Sequence, residues 1–439
     1  MSVFTHLKQY RSDKNGSVMP LFVISLAAIF ALVGATLALS MDSRAANSLQ
    51  KTADSAALAG ATAFLNSTSP KLEDRKAQAV QAATTIAEQN AQYQLSELDY
   101  ASVVEDAYGQ HLNMEVDLEF KPVNAAASFT GRNASIDIRR RAVATASWGF
   151  PLCLLSLSET GRGLSLRGAG DLTAPNCAIW SNSKDSDSVY MDGAATLKAK
   201  SICSAGQSRG GGLAKLDPKV HEDCEPLEDP LATWVAPAIG QCDTIGGLRL
   251  TRRGIIADLE PGVFCGGLWA VSDTVRLKPG TYYVKDGPLI LNGSDEVIAE
   301  GVTFILSGVN ASVEISGNGI LRLTAPTEGP FAGIALAEDR STRMGPLAQW
   351  LASRKGLRTR LSSTVTGNGQ IHIEGLIYLP NQVIEITGNG WGEKSSPYLQ
   401  IIAHAIDISQ LGALFIDFNP SATSVPIVIE PTRTARLIE

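Results

Sequence analysis

The chain has 439 residues, a net charge of -7 and a pI near 5.4. That length allows roughly two to four structural units, and the acidic balance gives no footing for nucleic-acid binding. Aromatic residues make up only 6% against 40 glycines, so turns and small-residue packing dominate. The first hundred residues are rich in Ala, Gln and Lys, and the rest in Gly, Ser, Thr, Val and Ile, which predicts a helical head followed by a mainly β body.

Residues 1–17 are polar and read as a short tail. Val18–Leu39 follows without a single ionisable side chain. About 22 residues at 1.5 Å each make a helix of about 33 Å, the thickness of a bilayer core. A transmembrane helix is therefore expected over 18–40. Lys8, Arg11 and Lys14 outweigh Asp13 upstream, whereas Asp42 cancels Arg44 and Lys51 cancels Asp54 downstream. The positive-inside rule then leaves the tail cytoplasmic and the body periplasmic or surface-exposed, a single-pass protein of the inner membrane. A cleaved signal peptide is the rival reading, but its apolar region usually runs about 7–15 residues.

Residues 41–97 read as a helical stalk. The long helix continues to Leu65 and carries Leu49, Ala53, Ala57, Gly60 and Phe64 on one stripe. Small residues let helices approach closely, so these five are expected to contact a partner helix. Ser69 caps and Pro70 opens a second helix over Lys71–Tyr93, with Glu73 and Asp74 in its first turn where the dipole favours them. Its face of Leu72, Ala79, Ala83, Ile86 and Asn90 suits folding back on the first helix.

Residues 98–149 read as a small β connector. NMEVDLEF (Asn113–Phe120) alternates, and it pairs with Ala134–Trp148 across a loop holding Pro122 and Gly131. The Arg139–Arg141 run is either the solvated end of that strand or a site for an acidic partner.

From 150 to 439, short apolar runs are punctuated by related turns at Gly168–Asp171, Met191–Ala194, Leu291–Ser294, Ser316–Gly319, Thr366–Gly369 and Thr387–Gly390. The spacing from Leu166 to Tyr190 is 190 − 166 = 24, from Leu291 to Ile315 is 315 − 291 = 24, and from Val365 to Ile386 is 386 − 365 = 21. A period in the low twenties with three strands per repeat is that of a right-handed parallel β-helix, with a β-sandwich as the alternative. One helical stretch near 343–361 interrupts the repeats, bearing Arg343, Arg354, Lys355, Arg358 and Arg360 with Leu347, Trp350 and Leu351 at helical spacing. It reads either as a basic amphipathic helix for anionic lipid, glycan or a partner, or as an excursion packed on the body.

All six cysteines, Cys153, Cys177, Cys203, Cys224, Cys242 and Cys265, lie beyond the first 152 residues, at spacings of 18 to 26. An even, widely spaced set suits disulfides in an oxidising compartment better than a zinc site. Six cysteines allow 15 pairings, among which neighbours such as Cys242 with Cys265 are natural. No metal or cofactor is expected.

β-Helices often carry carbohydrate-active sites, which need clustered carboxylates, or a base beside Arg or Lys. The isolated candidates are Asp273, Asp286, the Glu338-Asp339-Arg340 run, and His372 with Glu374, the best pair because they share a strand face. No G-x-S-x-G, H-E-x-x-H or P-loop motif is present, so no enzyme activity is expected.

Asn15-Gly16-Ser17-Val18, the single apolar run, Met41-Asp42-Ser43-Arg44 and above all Leu49–Ala61 (LQKTADSAALAGA) resemble the Flp pilus-assembly TadE/TadG-like family of Tad secretion systems, over roughly residues 12–66. GVFCGGL (Gly262–Leu268), LKPGTYYV (Leu277–Val284) and LTAPTEGPFAGIAL (Leu323–Leu336) resemble the β-helical C-terminal region of some members. The resemblance implies a structural component of pilus assembly that meets other Tad/Flp proteins. Type IV prepilins carry a glutamate five residues after the cleaved glycine, where this chain has Leu21. Larger relatives carry a D-x-S-x-S metal site, to which Lys184-Asp185-Ser186-Asp187-Ser188 corresponds only as a polar turn. An envelope protein that binds or modifies glycans is the alternative function.

Overall fold

In this computed structural model the described residues are 19–67, 72–89, 94–100, 104–105, 109–120, 138–250, 256–292, 295–354, 360–366, 369–388, 391–431 and 433–438. The tail, the Ser69–Pro70 cap, the loop with Pro122 and Gly131, Lys355 and Arg358 lie outside them. The protein is mainly β, and contacts divide it into two compact units. A head lies within Met1–Val104, Gln110–Trp148 and Arg433–Glu439, and a body spans Glu105–Gly109 and Gly149–Thr432.

Helix α1 runs Met19–Asn66 and α2 Leu72–Glu88. The second helix stops short of the expected Tyr93, and Gln94–Tyr100 is a strand. It pairs antiparallel with Gly109–Phe120, which also bonds the short strand Val104–Glu105 and Ile138–Gly149, and Arg433–Leu437 closes the sheet's edge antiparallel to Ile138–Gly149. Met114, Val116 and Leu118 alternate inward as their period-2 pattern requires, and bury against Ala46, Ala53, Ala57 and Phe64 of α1 and Ala79 and Ala83 of α2. The strands read as a connector thus share one core with both helices. Two of the three arginines of the basic run are spent within the sheet, Arg141 on Glu115 at 2.6 Å and Arg139 on Glu119 at 3.4 Å.

The body is one large parallel sheet whose strands fall into three ladders. From Leu248–Leu250 to Ile320–Thr324 each strand bonds the third strand after it, whereas the long strands Asp171–Ser181, Thr196–Ser204, Gln370–Ile386 and Leu399–Ile408 turn a corner and each serve more than one ladder. One ladder stacks Gly262–Cys265, Gly280–Lys285, Val302–Ser307 and Ile334–Glu338, then residues 375–379 in the middle of Gln370–Ile386 and the first part of Leu399–Ile408. Leu152–Ser156, the first strand of the body, continues it after Leu399–Ile408, followed by Asp171–Ser181 and Thr196–Ser204. The chain therefore enters in mid-stack, builds out to one end near Cys224, crosses to the far end near Cys242, and builds back to meet its own beginning. Leu291 does pair with Ile315, and Val365 with Ile386, whereas Leu166 pairs with Met191, one residue beyond Tyr190.

Turn corners stack as well. Gly193 has φ +76°, and a Cβ there would meet Gly168 O at 2.6 Å. At Gly212 (φ +68°) it would meet Gly193 O at 2.7 Å. Only glycine tolerates both the left-handed backbone and that approach. The interior between ladders is apolar, with Tyr282 between Phe264 and Phe304 at 6.0 and 5.6 Å.

The disulfides join chain neighbours, Cys153–Cys177, Cys203–Cys224 and Cys242–Cys265. The last two bracket the crossing segment. This strap covers the outer face of the first ladder with Leu227, Leu231, Trp234 and Ala236 over Leu155, Trp180, Ile305 and Tyr378. Strands such as Val302–Ser307 are consequently buried at every position, not alternately.

Candidate functional site

In the head, α1 is divided by environment. Phe22, Val23, Ile24, Ile29, Phe30 and Leu32 are all more than half exposed. Ser25 and Thr36 return their hydroxyls to Phe22 O and Val33 O, both at 2.9 Å, so the run's described polar side chains are satisfied by its own backbone. Other side chains of the run, Leu37–Leu39 among them, lie outside the described residues. Among those described, no helix is long and apolar enough to cross a membrane.

The second half of α1 corrects the expected contact. Leu49, Ala53, Ala57, Gly60 and Phe64 do not face out for a partner helix. The four side chains are fully buried in the head's own core. A Cβ at Gly60 would lie 2.7 Å from Met114 Cε and 3.1 Å from Ala79 O. The small residues serve close approach, as their chemistry requires, but to this chain's own sheet and α2. Arg75 completes that core, its guanidinium 4.4 Å from the Phe64 ring and 5.1 Å from Trp148, and burial lowers its pKa. The opposite stripe, Ser48, Lys51, Ser55, Leu58 and Thr62, is exposed. Hydrophobic periodicity picks out the buried face and is silent about this one.

In the body, the candidate side chains are held apart. His372 Nε2 and Glu374 Oε1 are 2.7 Å apart, and Thr423 Oγ1 donates to Glu374 Oε2 at 2.6 Å. The His372 hydrogen bond, then that from Thr423, hold the Glu374 carboxyl below its usual range against burial. Asp286 Oδ1 accepts from Val309 N at 2.8 Å in a turn. Glu338 is fully buried, accepting from Asn381 N and Gln382 Nε2, and burial pushes its pKa up to about 7. Arg340 instead holds the strap, reaching Asp229 Oδ2 at 2.6 Å and Tyr378 Oη at 2.7 Å, while Tyr378 donates to Asp229 at 2.8 Å. The Lys184–Ser188 turn is occupied locally. Asp185 accepts from Gly161 N at 2.6 Å, and Asp187 pairs with Arg162 at 2.8 Å. Among the described residues no three His, Cys, Asp or Glu side chains gather as metal ligands.

A cleft of about 470 Å³ opens in the body beside the strap, lined by polar groups that include Asn182, Lys184, Arg340, Arg360, Asn381 and His404. The strap's Leu227 closes one side, exchanging two hydrogen bonds with the Asn182 amide at 2.7 and 2.9 Å.

Residues 16–63 match the family described as putative Flp pilus-assembly TadE/G-like. The match covers the apolar run and most of the packed half of α1, and the body lies outside it. No curated protein and no solved structure matches the chain.

Proposed function

We propose that this chain is a non-enzymatic, membrane-anchored structural component of Flp pilus assembly. The observation that carries the reading is that the Tad-type segment coincides with α1, half of which exposes an apolar run while the other half is built into a folded head. Val18–Leu39 crosses the inner membrane once, with the tail cytoplasmic and head and body outside it. The absence of charge over those residues supports the span, and the excess of Lys and Arg before them supports the orientation. The three disulfides fit an oxidising compartment. The three ladders are the faces of a parallel β-helix, since pairing of each strand with the third after it, as from Leu248–Leu250 to Ile320–Thr324, is what coiling produces. Partner pilus proteins meet the exposed stripe Ser48, Lys51, Ser55, Leu58 and Thr62.

Capture from crosslinked membranes tests this. Recovery of Tad pilus-assembly proteins by the native chain, and their loss in Lys51→Glu/Leu58→Asp at unchanged stability, is the expected result. Undiminished capture by that variant removes the stripe, and failure to recover any pilus protein removes the function.

A glycan-binding envelope protein is the second reading, favoured by the polar cleft beside the strap. Retention of the chain on immobilised envelope polysaccharide, abolished by Arg360→Ala, would support it.

A further inference from the structure

Three ladders joined by short turns need few residues between strands. Val302–Ser307 and Val313–Ser316 are linked by residues 308–312, and Gly280–Lys285 and Leu289–Asn292 by residues 286–288. At the next rung the same corner takes residues 339–361 between Ile334–Glu338 and Ser362–Val365. Within this insertion stands helix α3, Pro346–Arg354.

The insertion is fixed to the body at its stem. Asn310 N donates to Arg343 O at 2.9 Å, Gly345 N to Asn310 Oδ1 at 2.8 Å, and Thr342 Oγ1 to Leu306 O at 3.3 Å. The helix itself turns its large apolar side chains outward. Leu347 is 70% exposed and Trp350 50%, with Arg354 on the same face, its guanidinium 4.5 Å from the Trp350 ring. Arg343 and Arg360 are exposed beside it and line a groove of about 320 Å³ with Met344 and Gln349. From Ser341 to Ile373 the sequence has no Asp or Glu, in a chain whose acids outnumber its bases by 44 to 37.

We propose that α3 docks on an anionic phospholipid surface, with Leu347 and Trp350 entering the interface and Arg343, Arg354 and Arg360 meeting headgroup phosphates. Two large apolar side chains are too few for the core of a stable protein interface, which takes about 800 Å² from each partner. They suit a bilayer interface, where an indole settles at headgroup level and arginines add attraction to anionic lipid. Complementarity of charge selects the same occupant, because the insertion's one carboxylate, Asp339, stays at the stem accepting from Ser341 N and Ser307 Oγ, and none follows it to repel a phosphate.

The test is hydrogen exchange over 346–354 in the full chain, reconstituted in nanodiscs of phosphatidylcholine alone or with phosphatidylglycerol. Slower exchange in the phosphatidylglycerol discs is expected, reversed by high salt and by Leu347→Asp/Trp350→Ser, with exchange over 302–307 unchanged. Arg343→Gln and Arg354→Gln should each weaken the protection about fivefold. Equal exchange in both discs overturns the proposal. So does slowing that requires added polysaccharide or protein in place of the anionic lipid. Co-elution of chain and disc reports the α1 anchor separately, so the two readings fail independently.

Discussion

Leu154 and Ile401 are partners in one parallel ladder although 401 − 154 = 247 residues separate them. The same junction is made in the other two ladders, Leu164 beside Ile406 and Ala413 beside Asp171. Both arms of the body therefore depend on a seam that forms only when its last strands arrive. Ile401→Ala, at a fully buried position, should cost about 2–5 kcal/mol. Hydrogen exchange should show protection falling both in 164–204 and in 376–408. Loss confined to the second arm would mean that the arms are stable apart.

Gly60→Leu places atoms where Met114 and the Ala79 carbonyl already are. Overpacking of this kind costs about 1–3 kcal/mol, so the head should melt at lower temperature. Leu58→Asp, two residues away on the exposed stripe, should leave the melting temperature unchanged. Equal effects from both would contradict the burial of the Gly60 face.

The strap rests on one carboxylate and two disulfides. Asp229→Ala strips Arg340 and the buried Tyr378 hydroxyl of their shared acceptor and should cost about 2 kcal/mol. Each disulfide closes a loop of 21 to 24 residues, for which loop closure gives about 3 kcal/mol. Removing Cys203–Cys224 or Cys242–Cys265 as Ser pairs should raise proteolysis within 225–241 first. Removing Cys153–Cys177 should not.

Glu338 gives stability a dependence on pH. Its carboxyl titrates near 7 in the folded protein and near 4.5 when solvated, so folding favours the protonated form. Its contribution is complete below about pH 4.5 and is lost as pH rises through 7, a change of about 3 kcal/mol in order of magnitude. Denaturant midpoints measured from pH 4.5 to 8 should fall with rising pH, and Glu338→Gln should flatten that slope. A slope unchanged in the variant would place the titration elsewhere.

The proposed anchor is testable by charge. Ile29→Lys/Phe30→Lys puts two cations in mid-run, each costing about 2.5–3.5 kcal/mol at the centre of a spanning helix. The chain should then move from the carbonate-resistant membrane fraction to the soluble one. Retention in the membrane would refer the attachment to another surface.

Local rules made the regular parts of this protein legible. The alternation of Met114, Val116 and Leu118, the run of α1, and the spacings Leu291–Ile315 and Val365–Ile386 each express a period that one element imposes on its own residues. The direction of the Leu49–Phe64 stripe was not legible, because an apolar stripe reads the same whether a sheet of the same chain or another helix covers it. Nor was the strap, since Glu225–Gln241 returns across strands far away in sequence and owes its place to single contacts such as Asp229 with Arg340. Glu338 stood out in the sequence only as one of three charged residues in a row. Its burial comes from the rung on which it falls.

The head's edge strand, Arg433–Leu437, pairs with Ala144–Trp148, and the whole of Gly149–Thr432 lies between them in the chain. During synthesis, the helices and first four strands of the head sheet emerge early yet wait for a strand made after every rung of the body. A chain broken off anywhere in the body leaves the head with an open sheet edge, ready to pair with a stray strand or to be recognised by a protease. Closure of the head is thus conditional on synthesis of the whole body.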